Sequence, residues 1–162
     1  MDNTVWAASR LQRLVHLLEH SGKPYLNAYM TSQVERLKRI LAGHPYVLCT
    51  YYVPSELTCL YDVEFLYVDR TVGLAASAGL LPPGGQELGS ICSYQQAFFD
   101  LLQSNILPPP ILMLGLDYPC IDALRLLEAI HQQWHIPLVR LTRKRLRQDL
   151  KQTADLLSQQ FG

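Results

Sequence analysis

"ILMLGLDYPCIDALRLLEAIHQQWHIPLVRL", residues 111–141, decides the fold. Its first residues, 111–114, form an apolar run between "PPP" and Gly115, the pattern of a buried strand. Residues 121–134 then follow helical spacing, with Leu124, Leu127 and Ile130 on one inner face. "IPLVRL" at 136–141 reads as a second strand. Strand, helix and strand in about 30 residues make a parallel βαβ unit.

The flanking sequence repeats the theme. Residues 46–51 are a short β-rich run, and Pro54 sits in the first turn of a predicted helix. Residues 65–68 are a second short strand. "GLLPPGGQELG" at 79–89 reads as a loop. Residues 91–102 read as a helix ending near Asn105, and 149–161 as a last helix. Upstream, Val5, Ala8, Leu11, Val15 and Leu18 repeat at helical spacing over 4–20. "SGKP" breaks that helix, and Met30, Val34, Leu37 and Leu41 mark another over 26–41. The expected fold is α/β: a single three-layer domain over 45–162 with about four parallel strands, preceded by a helical extension over 1–44.

The 162 residues, 49% hydrophobic and 17% charged, suit one globular domain with a sizeable core. The formal net charge is zero, so neither nucleic acid nor an anionic membrane is an expected partner. No apolar run reaches the roughly 18 residues of a spanning helix. The N-terminus lacks a basic segment followed by an apolar one, so a cytoplasmic protein with reduced cysteines is expected.

The four cysteines therefore point to metal binding, catalysis or plain packing rather than to disulfides. In open α/β sheets ligands sit beyond the carboxyl ends of the strands. Cys49 falls near the end of the first strand. Cys92 and Cys120 each open a helix, where the helix dipole favours the thiolate that a metal needs. Cys59 lies inside the helix predicted after Pro54 and reads as core. No C-x-x-C pair is present, so the spacing alone leaves both a metal site and buried structural cysteines open.

Five segments in order carry a resemblance. "CTYYVPSEL" at 49–57 resembles the C-x-x-V-P-E-E-L segment of the 2-hydroxyacyl-CoA dehydratase and benzoyl-CoA reductase family. "SICSYQQAFFDLL" at 90–102 resembles its second cysteine segment. "ILMLGLDYPCIDALRLLEAI" at 111–130 is similar to its strand, loop, Cys-Asp and helix. "HIPLVRL" at 135–141 and "DLKQTADLLSQQFG" at 149–162 are similar to the strand and helix that follow. The resemblance implies a [4Fe-4S] cluster held by cysteine thiolates, with Cys92 and Cys120 matching ligands and Cys49 matching a cysteine found in part of the family. It also implies a homologous partner subunit, an ATP-dependent activator that supplies a low-potential electron, and an acyl-CoA. A further ligand would come from a second α/β domain, beginning where this sequence ends.

The sequence also departs from the family. Cys120-Ile121-Asp122 stands in place of Cys-Asp, Leu60-Tyr61-Asp62 in place of A-A-G, and Ser55-Glu56 in place of the double glutamate. Glu56 is the candidate catalytic residue, moving protons in a pocket, or else a simple first-turn carboxylate. Two functions follow as expectations. One is a cluster-binding domain for low-potential electron transfer or acyl-CoA activation. The other is a degenerate, cluster-free domain that works by protein–protein contact.

Three other patterns read as ordinary structure. "HLLEH" at 16–20 matches the inverted zinc pattern H-x-x-E-H, with His16 and His20 on one face and Glu19 beside them. It has no third ligand nearby in the sequence, so a solvated helix end is expected. His131 and His135, also four apart, are expected to be structural. "RLTRKRLRQ" at 140–148 is expected to be a solvated basic face, with an anionic ligand such as a coenzyme A phosphate as the alternative.

Overall fold

The computed structural model describes residues 3–20, 24–50, 53, 61–83, 88–89, 91–117 and 120–161. The predicted helix after Pro54, with Glu56 and Cys59, lies outside the described residues, as do the glycines at 84 and 85. Four parallel strands form one sheet: β1 (Tyr46–Cys49), β2 (Glu64–Tyr67), β3 (Leu112–Leu116) and β4 (Leu138–Leu141). Their spatial order is β2-β1-β3-β4. Six described helices surround them: α1 (Asn3–Glu19), α2 (Pro24–Leu41), α3 (Val68–Ala78), α4 (Ser93–Gln103), α5 (Ile121–Trp134) and α6 (Leu146–Phe161). None of them is long and apolar enough to cross a membrane.

Both faces of the sheet are covered, so its strands are apolar throughout rather than alternating. Leu48, Leu66 and Met113 face one layer, built from Phe98, Phe99, Leu126, Leu127 and Ile130 of α4 and α5. The same cluster takes in Ala7 and Leu11 of α1 and Val34, Leu37 and Ile40 of α2. The N-terminal helices are thus part of the main core. Val47, Cys49, Phe65, Tyr67, Leu112, Leu114 and Val139 face the other layer, with Leu157 of α6.

The element missing from the sequence reading is α3. β2 runs straight into it, with Tyr67 as an N-cap residue that makes no side-chain cap bond. Its first turns hold β-branched Val68, Thr71 and Val72, which read as an extension of the strand. It ends at Gly79, whose φ of 66° puts it in the left-handed region and lets its N–H cap the helix. α6 starts at Leu146, three residues before the expected start, because buried Asp149 accepts hydrogen bonds from the N–H (2.8 Å) and hydroxyl (3.1 Å) of Thr142 and orders that turn.

Gly115 sets how closely α5 lies on β3. A Cβ there would sit 2.7 Å from Leu124 Cδ1 and 3.2 Å from Leu127 Cδ1. Gly115→Val should therefore push the helix off the sheet and cost about 1–3 kcal/mol. Chemical denaturation would read this as a lower midpoint, and an unchanged midpoint would refute the close approach.

Candidate functional site

The strand order reverses between β1 and β3, because the chain leaves them toward opposite edges of the sheet. The carboxyl ends of these two strands are where a doubly wound sheet opens a crevice. Thr50 sits there, 2% exposed, and extends the ladder by one residue. Its N–H donates to the Leu114 carbonyl at 3.1 Å, and its Oγ1 accepts from the Leu116 N–H at 2.8 Å. Asp117 follows, exposed, with its N–H bonded to the Leu141 carbonyl at 3.3 Å.

Crossover helices between parallel strands return from the carboxyl edge, so α4 and α5 both start on this side. The N-cap residue of α4 is Cys92, and that of α5 is Cys120. Both have extended backbones, and neither side chain caps its helix. Cys92 is exposed and Cys120 half-buried. The two helix starts are tied together, because the Cys92 N–H donates to Asp122 Oδ2 at 3.1 Å. Asp122 also receives Arg125 Nη1 at 3.3 Å on its other oxygen. One hydrogen bond and two residues of chain thus join Cys92 to Cys120.

Cys49 is placed differently. It is fully buried on the α6 face of the sheet, whereas Cys92 belongs to a helix packed on the other face. Its thiol donates only a long contact, 3.9 Å, to the Val47 carbonyl. Burial pushes this thiol well above its usual range, and the charge of Arg36 offsets that only in part. The structure therefore brings Cys92 and Cys120 to the starts of neighbouring helices and does not bring Cys49 to them. Among the described residues, no three Cys, His, Asp or Glu side chains gather in a group that could hold a metal ion.

The remaining motifs have structural partners. His20 Nδ1 bonds the His16 carbonyl at 2.7 Å, and the two rings meet edge-on at 4.6 Å. His131 Nδ1 bonds the Ile136 carbonyl at 2.7 Å, and His135 closes α5 in the left-handed conformation with φ 56°. Arg143, Lys144 and Arg145 are exposed in the turn before α6, on the carboxyl side of the sheet, while Arg140 pairs with Glu128 at 2.9 Å.

Thr50, Asp122 and Gln95 are the residues that sequence reasoning missed. Gln95 lies three positions after Cys92, where the spacing of a capping box could have marked it. Neither a protein-family model nor a curated protein matches the chain.

Proposed function

We propose that the carboxyl edge of the sheet is an iron–sulfur site in which Cys92 and Cys120 supply thiolates to a [4Fe-4S] cluster. The reading rests on one observation: the N-cap residues of two neighbouring helices are both cysteines, and Asp122 joins them. Helix N-termini stabilise bound anionic ligands, and neither thiol is spent on capping its own helix. When bound, such a cluster carries single low-potential electrons or polarises the carbonyl of an acyl thioester. Cys49 stays in the core, so the other ligands would come from outside this pair, from a homologous subunit or a second domain. An ATP-dependent activator and an acyl-CoA are the partners that go with this reading.

Anaerobic reconstitution with iron and sulfide tests it. The wild-type chain should retain both after desalting and turn brown. Cys92→Ala or Cys120→Ala should lose most of the iron, and Cys49→Ala should keep it. A wild-type chain that retains no iron, or iron content indifferent to both substitutions, sinks the proposal. The second reading, a cluster-free interaction module, is favoured by the aromatic side chains that α2 and α4 leave in water. Tyr25 is 93% exposed, and Tyr29 and Tyr94 are exposed as well. It predicts no iron uptake, with wild-type folding retained in the cysteine variants.

A further inference from the structure

We propose that the exposed side of α3 is a docking groove for an acidic segment of a partner protein, held by Arg10, Arg13 and Arg70 around an apolar floor at Gly73. The inference does not depend on the iron–sulfur reading, and it gives the exposed tyrosines of the second reading a partner chemistry. Two clefts lie along α3. One, of about 290 Å³, lies between α2 and α3, with Tyr29, Met30, Arg70 and Gly73 among its walls. The other, of about 350 Å³, lies between α1 and the end of α3, with Arg10, Arg13 and Leu17 along it. Ser77 lines both, so the two adjoin. From Asp69 to Gly79 the groove follows ten helical steps, about 15 Å.

Its charge is unbalanced. Among the described residues, none of these three arginines has an acidic partner, whereas Arg36, Arg39, Arg125 and Arg140 each have one. The sequence gives the reason: no Asp or Glu stands three or four positions from Arg10, Arg13 or Arg70. Asp69 is the acid lining the groove among the described residues, and it sits in the first turn of α3, where the helix dipole favours it. The whole chain has no net charge, so this is a local excess of cations. Arg70 is also held in place. Its guanidinium carbon lies 4.4 Å from the ring centre of Tyr67 and 5.9 Å from that of Tyr29. Tyr67 is buried, and its hydroxyl donates to the Val53 carbonyl at 2.8 Å, so this ring is fixed. Stacking occupies the flat face of the guanidinium and leaves its N–H edge for a carboxylate. A group ordered in advance loses less freedom on binding.

The fold does not ask for glycine at position 73. Its backbone is ordinary helix, and among the described residues an added Cβ would meet only the Tyr94 hydroxyl, at 3.4 Å. A glycine inside a helix destabilises it relative to alanine. What Gly73 provides is a low floor flanked by the exposed Tyr29 and Tyr94, open to an apolar side chain. Leu17, 61% exposed, offers a second apolar contact in the other cleft. Tyrosine and arginine are the residue types enriched in protein interfaces. Cations spaced along the groove, with apolar and aromatic side chains between them, match spaced carboxylates around an apolar anchor. A nucleic-acid backbone calls for a denser run of cations.

Random-sequence peptides displayed on phage, selected against the full chain, test the proposal. Selected peptides should carry two or more Asp or Glu around a large apolar residue. Their affinity, read by fluorescence anisotropy, should fall about three- to tenfold in Arg70→Gln and in Arg13→Gln. It should also fall with added salt. Gly73→Leu should fill the floor and weaken binding at least as much. Gly73→Ala should retain binding and raise the melting temperature. Arg13 stacks on no ring among the described residues, so its variant keeps the fold even if loss of Arg70 disturbs Tyr67; melting temperatures check both. No enrichment, enrichment of neutral or basic peptides, or acidic peptides indifferent to both arginine substitutions overturns the proposal. So does a poly-uridine oligonucleotide that displaces the selected peptides and binds more tightly, which would make the groove a nucleic-acid site. None of these results touches the iron–sulfur reading, whose test is iron uptake.

Discussion

Tyr46→Ala should destabilise the fold by about 3–5 kcal/mol, and Tyr46→Phe by about 1–3 kcal/mol, both read as lower urea midpoints. Tyr46 opens β1, is 1% exposed and packs in the main core with Leu48 and Leu66. Truncation to alanine loses the transfer energy of the ring and leaves a cavity between β1 and the helices. The phenylalanine variant keeps the ring and isolates the hydroxyl. That hydroxyl donates to the Pro108 carbonyl at 2.7 Å, while the Tyr46 carbonyl accepts the Ile111 N–H at 3.0 Å. Tyr46 thus fastens the triple-proline segment that leads into β3 against the start of β1. Domains of this size have about 5–15 kcal/mol of stability in total, so the alanine variant should be close to unfolding. If both variants keep the wild-type midpoint, Tyr46 is not the latch described.

The same residue sets a dependence on pH. Burial pushes the Tyr46 phenol far above its usual value. The unfolded chain ionises this group near pH 10, while the folded chain keeps it protonated. Its share of stability is therefore complete below about pH 10 and lost as pH rises beyond it. Tyr46→Phe should remove that part of the alkaline slope.

The βαβ unit at 111–141 was legible because its strand and helix patterns are long and bounded by prolines and Gly115. α5 runs Ile121–Trp134, the expected span. α3 was not legible, because its opening residues have strand character and no polar cap marks its start. The N-cap positions of Cys92 and Cys120 could be read from the loop-to-helix transitions. The side of the sheet that Cys49 faces could not. In a strand covered on both faces, inward and outward residues are equally apolar, so "YVLC" carries no alternation to read. The bond from Cys92 to Asp122 spans 30 residues of chain, and no local pattern announces it.

At neutral pH, iodoacetamide should label Cys92 and Cys120 in the folded chain and spare Cys49 by about 10⁴-fold or more relative to the unfolded chain. Peptide mapping after timed quenching would measure this. The magnitude follows from where Cys49 sits. Its sulfur is fully buried, and β1 is held by β2 on one side and β3 on the other, with Cys49 paired to Tyr67 and Leu114. No fraying edge can expose it, so labelling must wait for opening of the central sheet, which takes most of the global stability. The thiolate is the reacting species, and burial disfavours it further, against a smaller opposing pull from Arg36. The sign of the pH effect follows. The unfolded chain ionises this thiol above about pH 8.5 and the folded chain does not, so stability falls as pH rises through that range and the protection of Cys49 shrinks with it. Cys49→Ala should remove this part of the slope, leaving the one due to Tyr46. Labelling of Cys49 as fast as Cys92 in the folded chain would place its sulfur at the carboxyl edge. The proposed iron–sulfur site would then have a third candidate ligand within this chain.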